Sequence, residues 1–283
     1  MKGILNIYKP RGITSSDVVV KCRKILGTKA IGHMGTLDPA GEGVLLLGVG
    51  KATRLFDMFL HKDKVYEAEF QFGYETDTLD GDGQTVAKTE NIPTMSDIET
   101  VLSDFIGKQM QVPPQYSAKS VGGVRCYKLA RAGKQVELPP CEVEIYSLEL
   151  IRETRKNTYL FKIHCSAGTY VRSICRDVAS KLDSSATMVS IKRLRCGDFC
   201  VEESVALERL ESIKEAAVIP VEKALNALPV VTLKDEQYTP LCNGIKIPCE
   251  GRAGDFALWC KGELFGIAHT VSGIIKIKTY LRD

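Results

Sequence analysis

Residues Lys64–Phe72 alternate without interruption. Tyr66, Ala68, Phe70 and Phe72 fall on one side, and Glu67, Glu69 and Gln71 on the other. A period of two is the spacing of a β-strand with one face in a core and one in water. A second run places Tyr159, Phe161, Ile163 and Cys165 on one face, and further strands are expected near 141–152 and 187–195. Between the strands, the apolar spacing changes to that of one-sided helices. Thr14 or Ser15 can N-cap a helix to about Leu26, with Val18, Cys22 and Ile25 as its stripe and Gly27 as its stop. A second helix over Thr169–Leu182 carries Val171, Ile174, Cys175, Val178 and Leu182 inward. Shorter helices are expected at Lys51–Leu60, Ser96–Ile106 and Arg125–Arg131, with Tyr74–Gln84 an acidic loop and Ala216–Leu228 a helical linker. Strands interleaved with one-sided helices predict a mixed α/β body on a large mixed sheet. After Pro229 the pattern becomes short β runs (Ile245–Ile247, Phe256–Cys260, Leu264–Ala268, Ile274–Tyr280) punctuated by glycines. This predicts a small β-barrel, and a boundary between a domain of residues 1–228 and one of 229–283.

Composition narrows the function classes. No segment approaches the roughly 20 apolar residues of a membrane span, and the start, MKGILNIYKPRG, lacks the apolar core of an export signal. A cytoplasmic location without membrane association is expected. The ten cysteines and four histidines are scattered with no C-x-x-C pair, so no metal site is expected. Net charge is only +3, but the cations cluster. Lys2, Lys9, Arg11, Lys21, Arg23, Lys24 and Lys29 crowd the N-terminus. Lys119, Arg125, Lys128, Arg131 and Lys134 form a second set, and Lys192, Arg193 and Arg195 a third. Converging on one face, they would form a footprint for a phosphate backbone.

The segment with most chemical content is Gly32-His33-Met34-Gly35-Thr36-Leu37-Asp38-Pro39-Ala40-Gly41-Glu42-Gly43-Val44-Leu45. It sets one carboxylate on a tight turn between glycines, with Pro39 stiffening the backbone and the apolar run from Val44 anchoring it. A carboxylate held this way suits catalysis, and Asp-Pro turns are also common as structure. The residues alone leave both roles open. Gly48-Val49-Gly50-Lys51-Ala52-Thr53 lacks the Ser or Thr that follows the lysine of a phosphate-binding loop. Asp77, Asp80 and Asp82 imitate a calcium loop, but Thr78 and Thr89 stand at its first and last ligand positions.

Seven ordered pieces carry a family resemblance. They are Lys9-Pro10-Arg11-Gly12-Ile13-Thr14-Ser15; Gly32-His33 with Gly35-Thr36-Leu37-Asp38-Pro39; Lys64-Val65-Tyr66-Glu67-Ala68; Thr76-Asp77-Thr78 with Asp80 and Gly83; Val112-Pro113-Pro114-Gln115-Tyr116-Ser117-Ala118; Gly123–Gly133; and Ser166-Ala167-Gly168-Thr169-Tyr170-Val171-Arg172-Ser173. Together they resemble the TruB family of tRNA pseudouridine synthases across the first domain. The C-terminal β segment resembles that family's PUA-like RNA-binding domain. The chain departs from the family pattern at Ala40-Gly41-Glu42-Gly43, at Thr187, and at Ile191-Lys192-Arg193.

The resemblance implies an α+β pseudouridine synthase catalytic domain and a function: isomerising uridine 55 in the tRNA T loop by base flipping, glycosidic cleavage, base rotation and rejoining through C5. The reaction is isomeric, so no cofactor is implied. Asp38 would be the catalytic carboxylate, Arg172 its partner, and Tyr66 the residue that stacks on the base and takes or relays a proton. His33 would fill the gap left by the flipped base, Ile191 would close the pocket, and Lys9, Lys21 and Arg193 would grip phosphates. The expected partner is the T stem-loop of tRNA, bound by a monomer with no obligate protein partner. The rival readings are a synthase acting on another RNA and a non-catalytic tRNA-binding or folding module.

Overall fold

The computed structural model describes residues 1–117, 120–121, 123–126, 130, 138–249 and 254–282. The chain opens with β1 (Gly3–Lys9) and α1 (Ser15–Leu26), then β2 (Ile31–His33), β3 (Gly41–Val49), the helical turns ending in α2 (Phe56–Leu60), and β4 (Lys64–Phe72). A hairpin of β5 (Tyr74–Thr76) and β6 (Thr85–Lys88) leads to α3 (Met95–Leu102) and β7 (Gly107–Gln111). The body closes with β8 (Cys141–Arg155), β9 (Thr158–Cys165), α4 (Val171–Lys181) and β10 (Ala186–Cys196). Eight strands of the main sheet run in the order Val205–Ala206, β1, β3, β10, β4, β9, β8, β7. Most neighbours are antiparallel, but β10 runs parallel to β3. The large mixed sheet expected from the alternating runs is present.

Burial explains the order of the layers. The inward face of β4 and β9 stacks Phe70 on Phe161, with ring centroids 4.4 Å apart, and is covered by Ile98 of α3 and Ile174 and Val178 of α4. Each fully buried ring of this kind contributes roughly 1.5–3 kcal/mol. Strand β3 is buried on both faces. Leu45 and Leu47 pack with Val18 and Cys22 of α1, whereas Val44 and Leu46 pack toward Leu264 and Leu281 near the C-terminus. That double burial is why Val44–Leu47 reads as a continuous apolar run rather than an alternating one. Thr14 caps α1 in a capping box with Asp17, and Gly27 ends it in the left-handed conformation.

The C-terminal residues form a separate four-stranded sheet: β11 (Val230–Leu233), β12 (Phe256–Cys260), β13 (Glu263–Val271) and β14 (Ile274–Tyr280). It is the small β unit that the glycine-punctuated runs predict. Its last residues are fastened to the body. Leu281 is fully buried, the Lys2 ammonium donates to its carbonyl at 3.1 Å, and Arg54 donates to the Tyr280 carbonyl at 3.1 Å.

Several expectations need correction. Ile245–Ile247 is not a strand, because Ile247 is a core residue of an irregular segment; Val230–Leu233 supplies the fourth strand. The acidic loop is part of a hairpin, with Tyr74 and Glu75 paired to Lys88 and Ala87. The helix expected to Ile106 stops at Leu102, and the polar stretch Gly107–Gln111 adds an edge strand. The linker contains Ile219–Pro220, which pairs with Ile4 and Gly3 of β1. Most of the helix expected at Arg125–Arg131 lies outside the described residues, as do Lys119, Lys128, Arg131 and Lys134.

Candidate active site

The loop between β2 and β3 carries Asp38 on a backbone held at nearly every neighbouring residue. The Ser15 hydroxyl accepts from the Leu37 amide and donates to the Leu37 carbonyl, both at 2.9 Å. Gly12 donates to the Pro39 carbonyl at 2.8 Å, and Gly41 to the Asp38 carbonyl at 2.9 Å. Beneath the turn, the Lys9 ammonium donates to the carbonyls of Gly41 (2.6 Å), Pro10 (3.0 Å) and Pro39 (3.3 Å). The glycines of the motif have a packing cause. A Cβ on Gly43, whose φ is +102°, would stand 2.2 Å from the Arg193 carbonyl of the parallel strand β10. With its backbone fixed, Asp38 projects a partly exposed carboxylate into a cavity of about 230 Å³. That volume is below the ~300–1,000 Å³ typical of sites for drug-sized ligands.

Arg172 meets Asp38 across this cavity. Its Nη2 lies 2.8 Å from Asp38 Oδ2 and donates to the Tyr116 carbonyl at 3.1 Å. Nη1 donates to the Thr78 carbonyl at 3.0 Å and lies 3.2 Å from Asp80 Oδ2. The guanidinium is buried in the first turn of α4, where a cation opposes the helix dipole. Its two carboxylate partners offset that cost. Gln111 replaces a side-chain cap on this helix, accepting from the Tyr170 amide at 2.8 Å and donating to the Tyr170 carbonyl. Asp80 is itself buried and braced by the Thr78 hydroxyl at 2.6 Å. Burial raises its carboxyl pKa, with the charge of Asp38 adding to the effect, while the Thr78 bond and Arg172 oppose it.

Tyr66 and Arg193 lie at the inner end. Arg193 Nε donates to the Tyr66 phenol oxygen at 3.3 Å, and the guanidinium carbon lies 5.5 Å from the ring centroid. Its other nitrogens donate to the carbonyls of Val44 (3.1 Å) and Thr36 (2.7 Å). Burial pushes the Tyr66 phenol up to about 12, so it holds its proton at neutral pH. Ile191, Met188, Leu37, Leu60 and Val171 supply the apolar wall.

Comparison with known proteins decides what this arrangement belongs to. The sequence model of the TruB family pseudouridylate synthases (N-terminal domain) matches residues 23–171. The chain is 43% identical over 244 residues to tRNA pseudouridine synthase B of Caldanaerobacter subterraneus subsp. tengcongensis, covering 86% of this chain and 85% of that one. To the protein of the same name from Clostridium kluyveri it is 41% identical over 251 residues, covering 88% and 86%. The chain belongs to the TruB family of pseudouridylate synthases. Among solved structures, a Cbf5-Nop10-Gar1 complex aligns with a TM-score of 0.74 and 25% identity, over 98% of this chain and 84% of that one. An H/ACA RNP bound to a substrate RNA containing 2'-deoxyuridine aligns with a TM-score of 0.73 and 23% identity, over 99% and 85%.

In this TruB-family chain, the cavity gathers Asp38, Tyr66, Arg172, Ile191 and Arg193. His33, Lys9 and Lys21 lie outside its lining. His33 ends β2 opposite Leu47, with Nδ1 buried and without a hydrogen-bond partner among the described residues. Burial and nearby Arg193 push its pKa below the ordinary value, which favours the neutral ring. Lys9 and Arg193, expected to grip phosphates, are not surface cations. Both are buried, and their donors are engaged by backbone carbonyls and, for Arg193, by Tyr66 as well. Lys21 and Lys24 are exposed on α1, and Lys29 is exposed in the loop that follows it. Arg195 is held by Asp63 at 2.7 Å, and Glu42 sits beside the Tyr8 hydroxyl. Thr187 is fully buried and donates to the Tyr74 carbonyl at 3.0 Å. Asp80 and Lys64 were missed as site residues. The signals were Asp80's place as the second of three aspartates in a loop that fails as a calcium site, and Lys64's parity with Tyr66.

Proposed function

We propose that this chain converts uridine 55 in the T loop of tRNA to pseudouridine, acting in the cytoplasm as a monomer without cofactor or obligate protein partner. Residues 1–228 serve as the catalytic domain and 229–283 as a PUA-like RNA-binding domain. The observation that carries the reading is the Asp38–Arg172 ion pair at a cavity floored by Tyr66 and Arg193. The printed name of the curated relatives, tRNA pseudouridine synthase B, supplies the substrate class.

The reaction breaks the N1–C1′ bond, turns the uracil, and joins C5 to C1′; one proton leaves C5 and one is returned at nitrogen. Arg172 holds Asp38 Oδ2, and no hydrogen-bond partner for Oδ1 lies among the described residues. The carboxylate therefore offers one oriented oxygen to the nucleoside, where it can meet positive charge developing at C1′ or act as a nucleophile. Tyr66 presents its ring to the base, and its protonated phenol can donate but cannot serve as the resting base. The apolar wall of Ile191, Met188 and Leu60 keeps the detached base from water. A base inside a folded loop reaches this depth only if it is flipped out. Lys21, with Lys24 and Lys29, contributes phosphate contacts, and RNA shape and unstacked bases supply specificity.

The test is mapping. Unmodified tRNA transcript is incubated with the protein, then labelled with carbodiimide and read by primer extension. A stop at position 55, absent from a transcript with cytidine there, supports the proposal. A stop elsewhere, or in another RNA only, moves the substrate. Tight tRNA binding with no stop anywhere would make the chain a binding module.

A further inference from the structure

Lys64, a cation in the lining of the cavity, has no part in the chemistry above. Lys64 begins β4 on the inward face it shares with Tyr66, is 6% exposed, and lines the cavity beside Leu60. Its ammonium donates to the Leu60 carbonyl at 2.6 Å and to the Lys62 carbonyl, which fixes its position. No partner for its third proton, and no carboxylate within ion-pair distance, lies among the described residues. Its cross-strand neighbours are the buried thiols of Cys165 and Cys196. Burial, with the positive charge of Arg193, pushes its pKa below the ordinary value.

The charge balance points outward. Arg172 is matched by Asp38 and Asp80. Lys64 and Arg193 are matched by no carboxylate at ion-pair distance among the described residues, so the lining holds an excess of positive charge on the Tyr66 side. A buried cation is unfavourable unless it is paired. A nucleotide within RNA brings its flanking phosphodiesters as anions, and Lys64 lines the cavity with a proton unpaired among the described residues. We propose that Lys64 is a substrate ligand of this site, binding a non-bridging oxygen of the phosphate adjoining the flipped uridine. The contact pairs the free donor and draws the nucleotide in beside Tyr66. The inference rests on the proposed isomerase reading and adds a residue to it.

The experiment uses T stem-loop RNA with tritium at C5 of the target uridine, and versions with a neutral methylphosphonate on either side of it. Tritium release and binding are measured for the wild type and Lys64→Met. Lys64→Met is expected to raise KM and Kd about tenfold or more on ordinary RNA, with a much smaller change in kcat. One methylphosphonate should cost the wild type a similar factor and cost Lys64→Met nothing further. Additive losses at both phosphates would overturn the proposal. So would a fall in kcat at unchanged KM, which would place Lys64 on the uracil instead. Should Lys64→Met fail to fold, the wild type alone decides, because no loss at either methylphosphonate refutes the contact. Wild-type binding without tritium release would count against the isomerase reading, while the interference pattern in binding would still test Lys64.

Discussion

Replacing Lys9 with methionine separates what a buried ammonium costs from what it holds in place. Lys9 is fully buried, and its three carbonyl acceptors, on Pro10, Pro39 and Gly41, lie on both sides of Asp38. Burial pushes its pKa from 10.5 down to about 8, against the pull of Asp38 and with the help of Arg193. At about 1.4 kcal/mol per pH unit, that gap places a penalty of about 3 kcal/mol on the charged form in the fold. The unfolded chain holds this proton more tightly. The penalty is therefore present in full below pH 8 and is relieved as pH rises from about 8 toward 10.5. Methionine removes the penalty but leaves three carbonyls without their donor, at about 1–3 kcal/mol each. The two effects oppose each other at pH 7, so the net loss in the variant should lie between about 0 and 6 kcal/mol. From pH 7 to pH 10 the wild type should gain about 2–3 kcal/mol relative to Lys9→Met, read as the difference between urea denaturation curves. Taking the difference cancels the other titrating groups. Turnover at pH 7 should fall, because the turn bearing Asp38 loses its clamp. A stability difference flat with pH, or a fully active variant, would refute the reasoning.

Other outcomes follow from the same geometry. Arg172→Lys cannot reach Asp38, Asp80 and two carbonyls at once, so kcat should fall by about 100-fold or more with tRNA binding retained; near-normal kcat would contradict the ion pair's role. Tyr66→Phe leaves the Arg193 Nε donor without its acceptor and should lower thermal stability by about 1–3 kcal/mol. Because the phenol stays protonated to about 12, wild-type and Tyr66→Phe pH–rate profiles should have the same shape below pH 9, and a limb near neutrality lost only in the variant would contradict this. Lys21→Ala should weaken tRNA binding and reduce its salt slope by about 1, and an unchanged slope would remove α1 from the interface.

How much was legible in the sequence depended on whether a residue's role was local. Tyr66 was legible because strand parity alone places it on the buried face of β4. The start of α1 was legible to within one residue, Thr14 or Ser15, because a cap acts within one turn; Thr14 is the cap, with Asp17 as its partner. Lys9 and Arg193 misled because basic residues in clusters read as surface charge. Their burial depends on which carbonyls surround them, and those come from Pro39, Gly41, Val44 and Thr36 in other parts of the chain. Asp80 was hidden for the same reason. It lies 92 positions from Arg172, and only the pinning of its hairpin loop to β10, through Leu79, Met188 and Gly81, brings the two together. In the C-terminal unit, Ile245–Ile247 has strand-like residues but is irregular, with Ile245 exposed and Ile247 buried, whereas the exposed Val230 begins a strand through parallel pairing with Ala257. Pairing of this kind leaves no mark in either segment alone.

The account rests most heavily on Asp38 as the group that performs the chemistry rather than one that shapes the turn. The direct test is tritium release from tRNA labelled at C5 of uridine, with EDTA and no added cofactor, comparing the wild type with Asp38→Asn under single-turnover conditions. The amide keeps the shape of the carboxylate and loses its charge. The account predicts stoichiometric release by the wild type and none by Asp38→Asn, with tRNA affinity and folding stability near those of the wild type. Release by Asp38→Asn at an undiminished rate would contradict it.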